Sequence, residues 1–282
     1  MSHVDGAGFV AAPLGLSVLG TPFAVDAAEP AVGAELRRLL APFVLDRIPV
    51  GSSVRTVHAP VGGNPGLALL DVLTQVNTTA LAAAGYLAVH AGVVARGRTA
   101  VAFPAPSGTG KSTLTAACLR AGLDYVSDEA LCLDWASGAV VGYPRPLALS
   151  GWSARAVGVT PGASGRTRSA APTAALAAAV LASVDEVLLT AADLGAAVAA
   201  EPLTLAHIVL PRRDPNAVAA LAPLPRGEAV GELLARSFTS WHRPDRAFTL
   251  VHEVVAAART WRLTLGRPAD AADLLADLLA TA

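Results

Sequence analysis

Lysine is nearly missing from this sequence. Of the 21 lysine and arginine side chains in 282 residues, one is a lysine, Lys111, and all the others are arginines. An arginine excess is what a GC-rich genome produces and needs no functional account; the exception does. Cysteine is scarce too. Cys118 and Cys132 cannot build a disulfide framework, and each falls in a stretch read as helix or strand. Both are expected as small core residues of a reduced, cytoplasmic protein. Charge is nowhere concentrated: the net charge is −1 and neither half holds a basic block, which argues against a nucleic-acid or anionic-membrane partner. Near the start Asp5 stands where a secretory signal would carry basic residues ahead of an apolar run, so no signal is expected. Residues 72–95 lack every Lys, Arg, Asp and Glu, but Gln75, Asn77, Thr78, Thr79 and His90 interrupt the run. A buried helix leading into a strand is expected there rather than a membrane span.

What is present is an apolar fraction of 53%, ample for a core, and an alternation of strand-like and helix-like stretches that predicts an α/β fold with helices on the sheet faces. Residues 1–75 read as a small α/β portion of unknown function, with a helix over 32–43 that carries Leu36, Leu39 and Leu40 on one side and Arg37 and Arg38 on the other. Residues 76–282 read as the main domain. A helix is predicted over 67–84, strands over 86–95 and 99–104 around a turn at Gly97, a helix over 112–121 stopped by Gly122, and a strand region over 123–133. Later come strands near 187 and over 203–210, helices over 229–236 and 248–259, a strand over 261–265 and a helix from 270. Residues 162–172 have the composition of a mobile loop, and the alanine-rich 174–183 that of a helix.

Lys111 stands in Ala105-Pro106-Ser107-Gly108-Thr109-Gly110-Lys111-Ser112-Thr113, between a charge-free strand and an apolar-faced helix. This is the context of a phosphate-binding P-loop. Backbone N–H groups of a glycine-rich turn converge on a β-phosphate, the helix directs its positive end there, and an ammonium on a thin stem curls over the phosphate oxygens. Residues Ser107 to Thr113 are the expected nucleotide cradle, with Ser112 offering a hydroxyl to Mg²⁺; Ala105 takes the position usually held by glycine. The bland alternative is a helix-capping turn without a ligand. Asp128 and Glu129 follow at an expected strand end, where a carboxylate can hold Mg²⁺ opposite Ser112 and a neighbour can accept a proton from an attacking hydroxyl. Asp124 is placed in a surface turn. With one lysine no Asn-Lys-x-Asp base-recognition motif exists, and no Asp-x-x-Gly switch follows, so a GTPase is not expected.

His90-Ala91-Gly92-Val93-Val94, the P-loop, Gly122-Leu123 and Val126-Ser127-Asp128-Glu129 together resemble the core of HPr kinase/phosphorylase. The likeness is greater to the HPr-kinase-like proteins of bacterial biosynthetic gene clusters, including those for ribosomally made, modified peptides. Gly142 to Leu149 and Trp261 to Leu265 add to it. The resemblance covers about residue 65 to the C-terminus. It implies a P-loop kinase core related to phosphoenolpyruvate carboxykinase, using ATP and Mg²⁺ to phosphorylate a serine hydroxyl of a peptide or protein. By the same resemblance Lys111 would neutralise the β- and γ-phosphates, Asp128 would be the general base and Glu129 a metal ligand beside Ser112. His90 would orient Asp128 or the transferred group, although a structural hydrogen bond is its other reading. Arg145, Arg212 and Arg213 are candidates for contact with nucleotide or acceptor, and Asp214 offers the last two a surface ion pair. Glu129 stands where the family has a second aspartate. The family's glycine-rich C-terminal signature is not found, so phosphorylase activity is not expected. The N-terminal portion differs from that of the HPr enzyme, which leaves a dedicated peptide, a protein or a small-molecule hydroxyl as acceptor; a homo-oligomer is compatible with the resemblance. A nucleotide-dependent regulatory protein without transferase activity is the reading from another class.

Overall fold

The first strands form because alternate side chains can be buried and because the chain can reverse in two residues. β1 (Leu14–Val18) and β2 (Thr21–Asp26) pair antiparallel around Leu19 and Gly20. Both turn residues have positive φ (49° and 78°), as a two-residue hairpin whose twist matches its strands requires. α1 (Pro30–Leu39) starts on a proline, buries Val32, Leu36 and Leu39, and leaves Arg37 and Arg38 outside. β3 (Arg55–His58) adds parallel to β2, and α2 (Pro65–Ala83) packs against α1, β2 and β3. The computed structural model of the chain describes residues 12–49, 53–62, 64–83, 85–159, 186–214 and 216–281. The loop expected over 162–172 and the helix expected over 174–183 lie outside them.

The long charge-free run becomes α2 followed by β4 (Tyr86–Arg96). α2 is the one described helix long and apolar enough to cross a membrane, and it is a core helix: its Leu69, Val72, Val76 and Leu81 share a cluster with Phe23 and Leu36 on one side and Leu114 and Leu119 on the other. The boundary expected after residue 75 therefore falls inside a helix, and the N-terminal portion shares its core with the rest. Next come β5 (Thr99–Pro104), α3 (Lys111–Arg120), β6 (Asp124–Ser127), β7 (Ala130–Asp134) and β8 (Val140–Val141). β9 (Leu147–Ser150), α4 (Gly151–Ala156) and β10 (Glu186–Leu189) flank the undescribed segment, β9 and β10 forming a separate ribbon. β11 (Thr204–Arg213), β12 (Ala220–Pro223), α5 (Arg226–Ala235), α6 (Pro244–Ala257), β13 (Arg259–Leu265) and α7 (Pro268–Ala280) complete the described chain.

One large mixed sheet runs β12-β13-β11-β5-β4-β7-β8, with β6 also on β4. Its centre, β5-β11-β13, is parallel. The period-two alternation of β4 decides the layers: Leu87, Val89, Ala91, Val93 and Ala95 face a core shared with α5 and α6, while Ala88 and Val94 face the core of α3 and α7. Gly92 lies opposite Phe103, whose ring occupies the space a side chain would need; a Cβ there would stand 2.1 Å from it.

One placement corrects the sequence reading. Asp124 opens β6, paired with Ala95, instead of sitting in a surface turn. Asp128 and Glu129 follow directly on the end of β6, as expected, and fill the break before β7: β6 pairs with residues 93–95 of β4 and β7 with residues 86–90, so the two acids fall opposite the middle of β4. The hydroxyl of Ser127 holds the break by accepting the N–H groups of Glu129 and Ala130 at 3.2 and 3.0 Å.

Candidate functional site

The site lies where β5 runs into α3, at the carboxyl end of the parallel strands, the usual ligand position of such sheets. Gly108 (φ 79°) and Gly110 (φ 107°) take left-handed conformations that a side chain would strain. Gly110 is the N-cap of α3 and supplies no capping side chain, so the first N–H groups of the helix, those of Lys111, Ser112 and Thr113, face outward without intrahelical partners. Local backbone geometry thus builds an anion cradle before any side chain is considered.

Lys111 folds back over this loop and is 7% exposed. Its Nζ donates to the carbonyls of Ala105 (3.0 Å) and Pro106 (3.2 Å) and to Nε2 of His90 (2.7 Å). Burial lowers its pKa, and the carboxylates of Glu129 and Asp128 work against that fall. His90 is delivered by β4, on the face that looks toward α3, and its register beside Ala130 sets it against the acidic break. Nδ1 of His90 donates to the carbonyl oxygen of Glu129 at 3.1 Å, so the ring is held from both nitrogens. Burial first and Lys111 second lower its pKa.

Asp128 is 5% exposed. Oδ2 accepts the hydroxyl of Ser112 at 2.9 Å, and Oδ1 lies 3.1 Å from the hydroxyl of Tyr125. Burial raises its pKa, opposed by Arg145. Glu129 is ion-paired with Arg145, its other oxygen 3.9 Å from Nδ1 of His90. Burial works against the charge of Arg145, but Asp128 and Glu129 outweigh it and raise its pKa. These contacts gather six expected residues in one polar network: His90, Lys111, Glu129 and Arg145 are linked directly, and Ser112 with Asp128 joins them through the Tyr125 hydroxyl.

Other expectations separate from it. The hydroxyl of Thr113 points away, donating to Ser153 of α4 at 2.9 Å, so Thr113 offers the loop only its backbone. Arg212 and Arg213 lie at the end of β11 in an adjoining cleft of about 540 Å³, whose other wall is Ser107, Gly108 and Thr109. Asp214 accepts from the N–H of Asn216 at 3.2 Å, and Arg212 and Arg213 form no ion pair among the described residues. The surface pair weighed from the sequence is not made. Cys118 and Cys132 are free and fully buried, and burial raises both thiols, Cys132 to about 12, as core positions require.

Tyr125, Arg236 and Phe238 escaped the sequence reading. Tyr125 reaches the network only because the strand break turns Asp128 back toward it; its hydroxyl also lies 2.7 Å from the carbonyl of Arg145. Residues 236–238 lie along β4, with the N–H of His90 donating to the carbonyl of Arg236 (2.9 Å) and the N–H of Phe238 to that of Ala88 (2.8 Å). This places the Phe238 ring edge-on to His90, centroids 5.5 Å apart. No local pattern announces a contact across so many residues.

Residues fitting a Mg²⁺-bound nucleotide are those at the loop: free helix N–H groups, Lys111, and Ser112 with Asp128. No group of three or more His, Cys, Asp and Glu suited to a metal occurs among the described residues. No protein-family model matches the chain, and no curated protein is significantly similar to it.

Proposed function

We propose that the protein is a Mg²⁺- and ATP-dependent kinase with a P-loop core of the HPr kinase/phosphoenolpyruvate carboxykinase type, phosphorylating a hydroxyl, that of a serine in a peptide or protein. The family part of this reading rests on the motif residues alone. The observation that carries it is the convergence of the only lysine, the Ser112–Asp128 hydrogen bond and the neutral His90 on one glycine-built helix N-terminus.

In this reading the N–H groups of Gly108 to Ser112 bind the β-phosphate, and Lys111 exchanges the carbonyls of Ala105 and Pro106 for phosphate oxygens. Ser112 and Asp128 hold Mg²⁺, which when bound supplies charge neutralisation across the phosphates. The acceptor oxygen bonds to the γ-phosphorus as the bond to the β–γ bridging oxygen breaks, and a carboxylate of the acidic pair takes the hydroxyl proton. Asp128 faces Ser112 while Glu129 faces Arg145 and His90. We therefore assign the metal to Asp128 and share the proton-accepting role between the two acids, a different division from the one the resemblance implies. His90, neutral, steadies Lys111.

The Glu129–Arg145 pair also favours a second reading, a nucleotide-dependent regulatory protein, because it engages the acid that would otherwise be free for chemistry. The two readings part on one assay: Mg²⁺-dependent transfer of label from γ-labelled ATP to any acceptor supports the kinase, whereas tight Lys111-dependent ATP binding without transfer supports the regulator.

A further inference from the structure

The cleft beside the glycine-rich loop has a charge pattern that nucleotide binding leaves unused. Arg212 and Arg213 come from the end of β11, Arg236 from the C-terminal end of α5, and Arg262 from β13. Glu228 and Glu232, one turn apart on α5, pair with Arg262 and Arg236. With four arginines and two glutamates the lining carries a net charge of +2. Arg212 and Arg213 are exposed and without an acidic partner among the described residues. The Nε of Arg236 is buried with no hydrogen-bond partner among the described residues, a position that normally has an explanation in a ligand or a water. Lys111, Ser112 and Asp128 do not line this cleft, whereas the outer residues of the loop do. A ligand there lies next to the bound phosphates, against Ser107, Gly108 and Thr109 of the loop, and leaves Lys111, Ser112 and Asp128 to the nucleotide.

We infer that this cleft is the acceptor subsite, and that the acceptor carries an oxyanion, carboxylate or phosphate, close to the hydroxyl that is phosphorylated. This rests on the kinase reading and deepens it. Guanidinium groups bind carboxylate and phosphate through paired N–H donors, and a cluster of them rejects a cationic partner. The shared chemistry has two sources: an acidic side chain flanking the serine of a peptide, or a small phosphorylated or carboxylated molecule.

The test uses the full chain loaded with Mg²⁺ and a non-hydrolysable ATP analogue. Two fluorescent peptides, identical except that the serine is flanked by Glu or by Gln, are titrated by fluorescence polarisation, and free O-phosphoserine is added as a competitor. Arg212→Ala/Arg213→Ala, at exposed positions, serves as the variant. The Glu peptide is expected to bind about tenfold more tightly than the Gln peptide, with the preference lost in the variant while the ATP analogue binds both proteins alike. Arginine-dependent binding of O-phosphoserine without a peptide preference assigns the cleft to the small-molecule source. Equal binding of both peptides with no phosphoserine binding overturns the inference, as does a preference that survives in the variant. Loss of analogue binding in the variant alone assigns the arginines to the nucleotide and overturns it too. Failure of the analogue to bind the wild type instead defeats the kinase reading, and this inference with it.

Discussion

Nε2 of His90 lies 2.7 Å from Nζ of Lys111, while Nδ1 of the same ring lies 3.1 Å from the carbonyl oxygen of Glu129. A carbonyl only accepts, so Nδ1 carries the proton and Nε2 presents its lone pair to the ammonium. The register of β4 against β7 thereby selects one tautomer of one histidine, and the tautomer steadies the lysine at the loop.

That tautomer is measurable. ¹⁵N imidazole shifts at pH 7 are expected to show His90 protonated at Nδ1 alone. Its folded pKa is below the ordinary 6.5, so the folded state binds fewer protons than the unfolded one just below that pH. The stability this contributes is complete above 6.5 and is lost as pH falls through the folded value. His90→Asn is expected to gain thermal stability relative to wild type as the pH drops from 7 to 5. A gap independent of pH would refute the assignment.

Asp128 has the opposite sign. Burial holds its folded pKa above the ordinary 3.8, so the stability tied to its protonated form is complete below 3.8 and is lost as pH rises through the folded value. In Asp128→Asn, the amide oxygen can accept from Ser112, and Nδ2 can donate to the Tyr125 oxygen, whose own proton goes to the backbone carbonyl of Arg145 at 2.7 Å. The variant is expected to melt at or above wild type at pH 7 while phosphoryl transfer falls by about 10²–10⁴-fold. Full transfer by this variant would remove Asp128 from the chemistry.

Arg145→Ala strands two carboxylates, one of them almost wholly buried. Breaking such a pair from one side is expected to cost about 3–5 kcal/mol, and Glu129→Gln in the same chain should recover part of it. Urea denaturation of the two single variants and the double variant reads the coupling; additive losses would show that Glu129 and Arg145 do not interact.

Gly92→Ala places a Cβ 2.1 Å from the Phe103 ring. The loss is expected to be about 1–3 kcal/mol, the scale of an overpacked core, and Phe103→Leu in the same chain should relieve it. Unchanged stability of the single variant would mean that β4 and β5 do not pair in this register.

The loop and its flanks were legible because the signal is local. A charge-free strand, glycines where φ must be positive and an apolar helix face all lie within a few residues of Lys111. The terminal helices were legible through their periodicity, with starts displaced by two to four residues: α5 begins at Arg226 and α6 at Pro244, where prolines and short turns shift the first residue. What failed was long-range. Nothing near Asp128 reveals that β6 and β7 share one neighbour and leave the acids between them. β12 was not foreseen, because Ala220 to Pro223 carries neither alternation nor β-branched residues and pairs only as an edge strand of β13. The arginines of the cleft come from β11, α5 and β13, and only the sheet order brings them together.

The central claim is Lys111-dependent phosphoryl transfer. The most direct measurement is mass spectrometry of candidate acceptors encoded beside this gene, incubated with Mg²⁺, ATP and either the wild type or Lys111→Ala. The account predicts a phosphate added by the wild type alone. Lys111-dependent ATP binding with no phosphate on any peptide, protein or small-molecule acceptor would contradict it and leave the regulatory reading in its place.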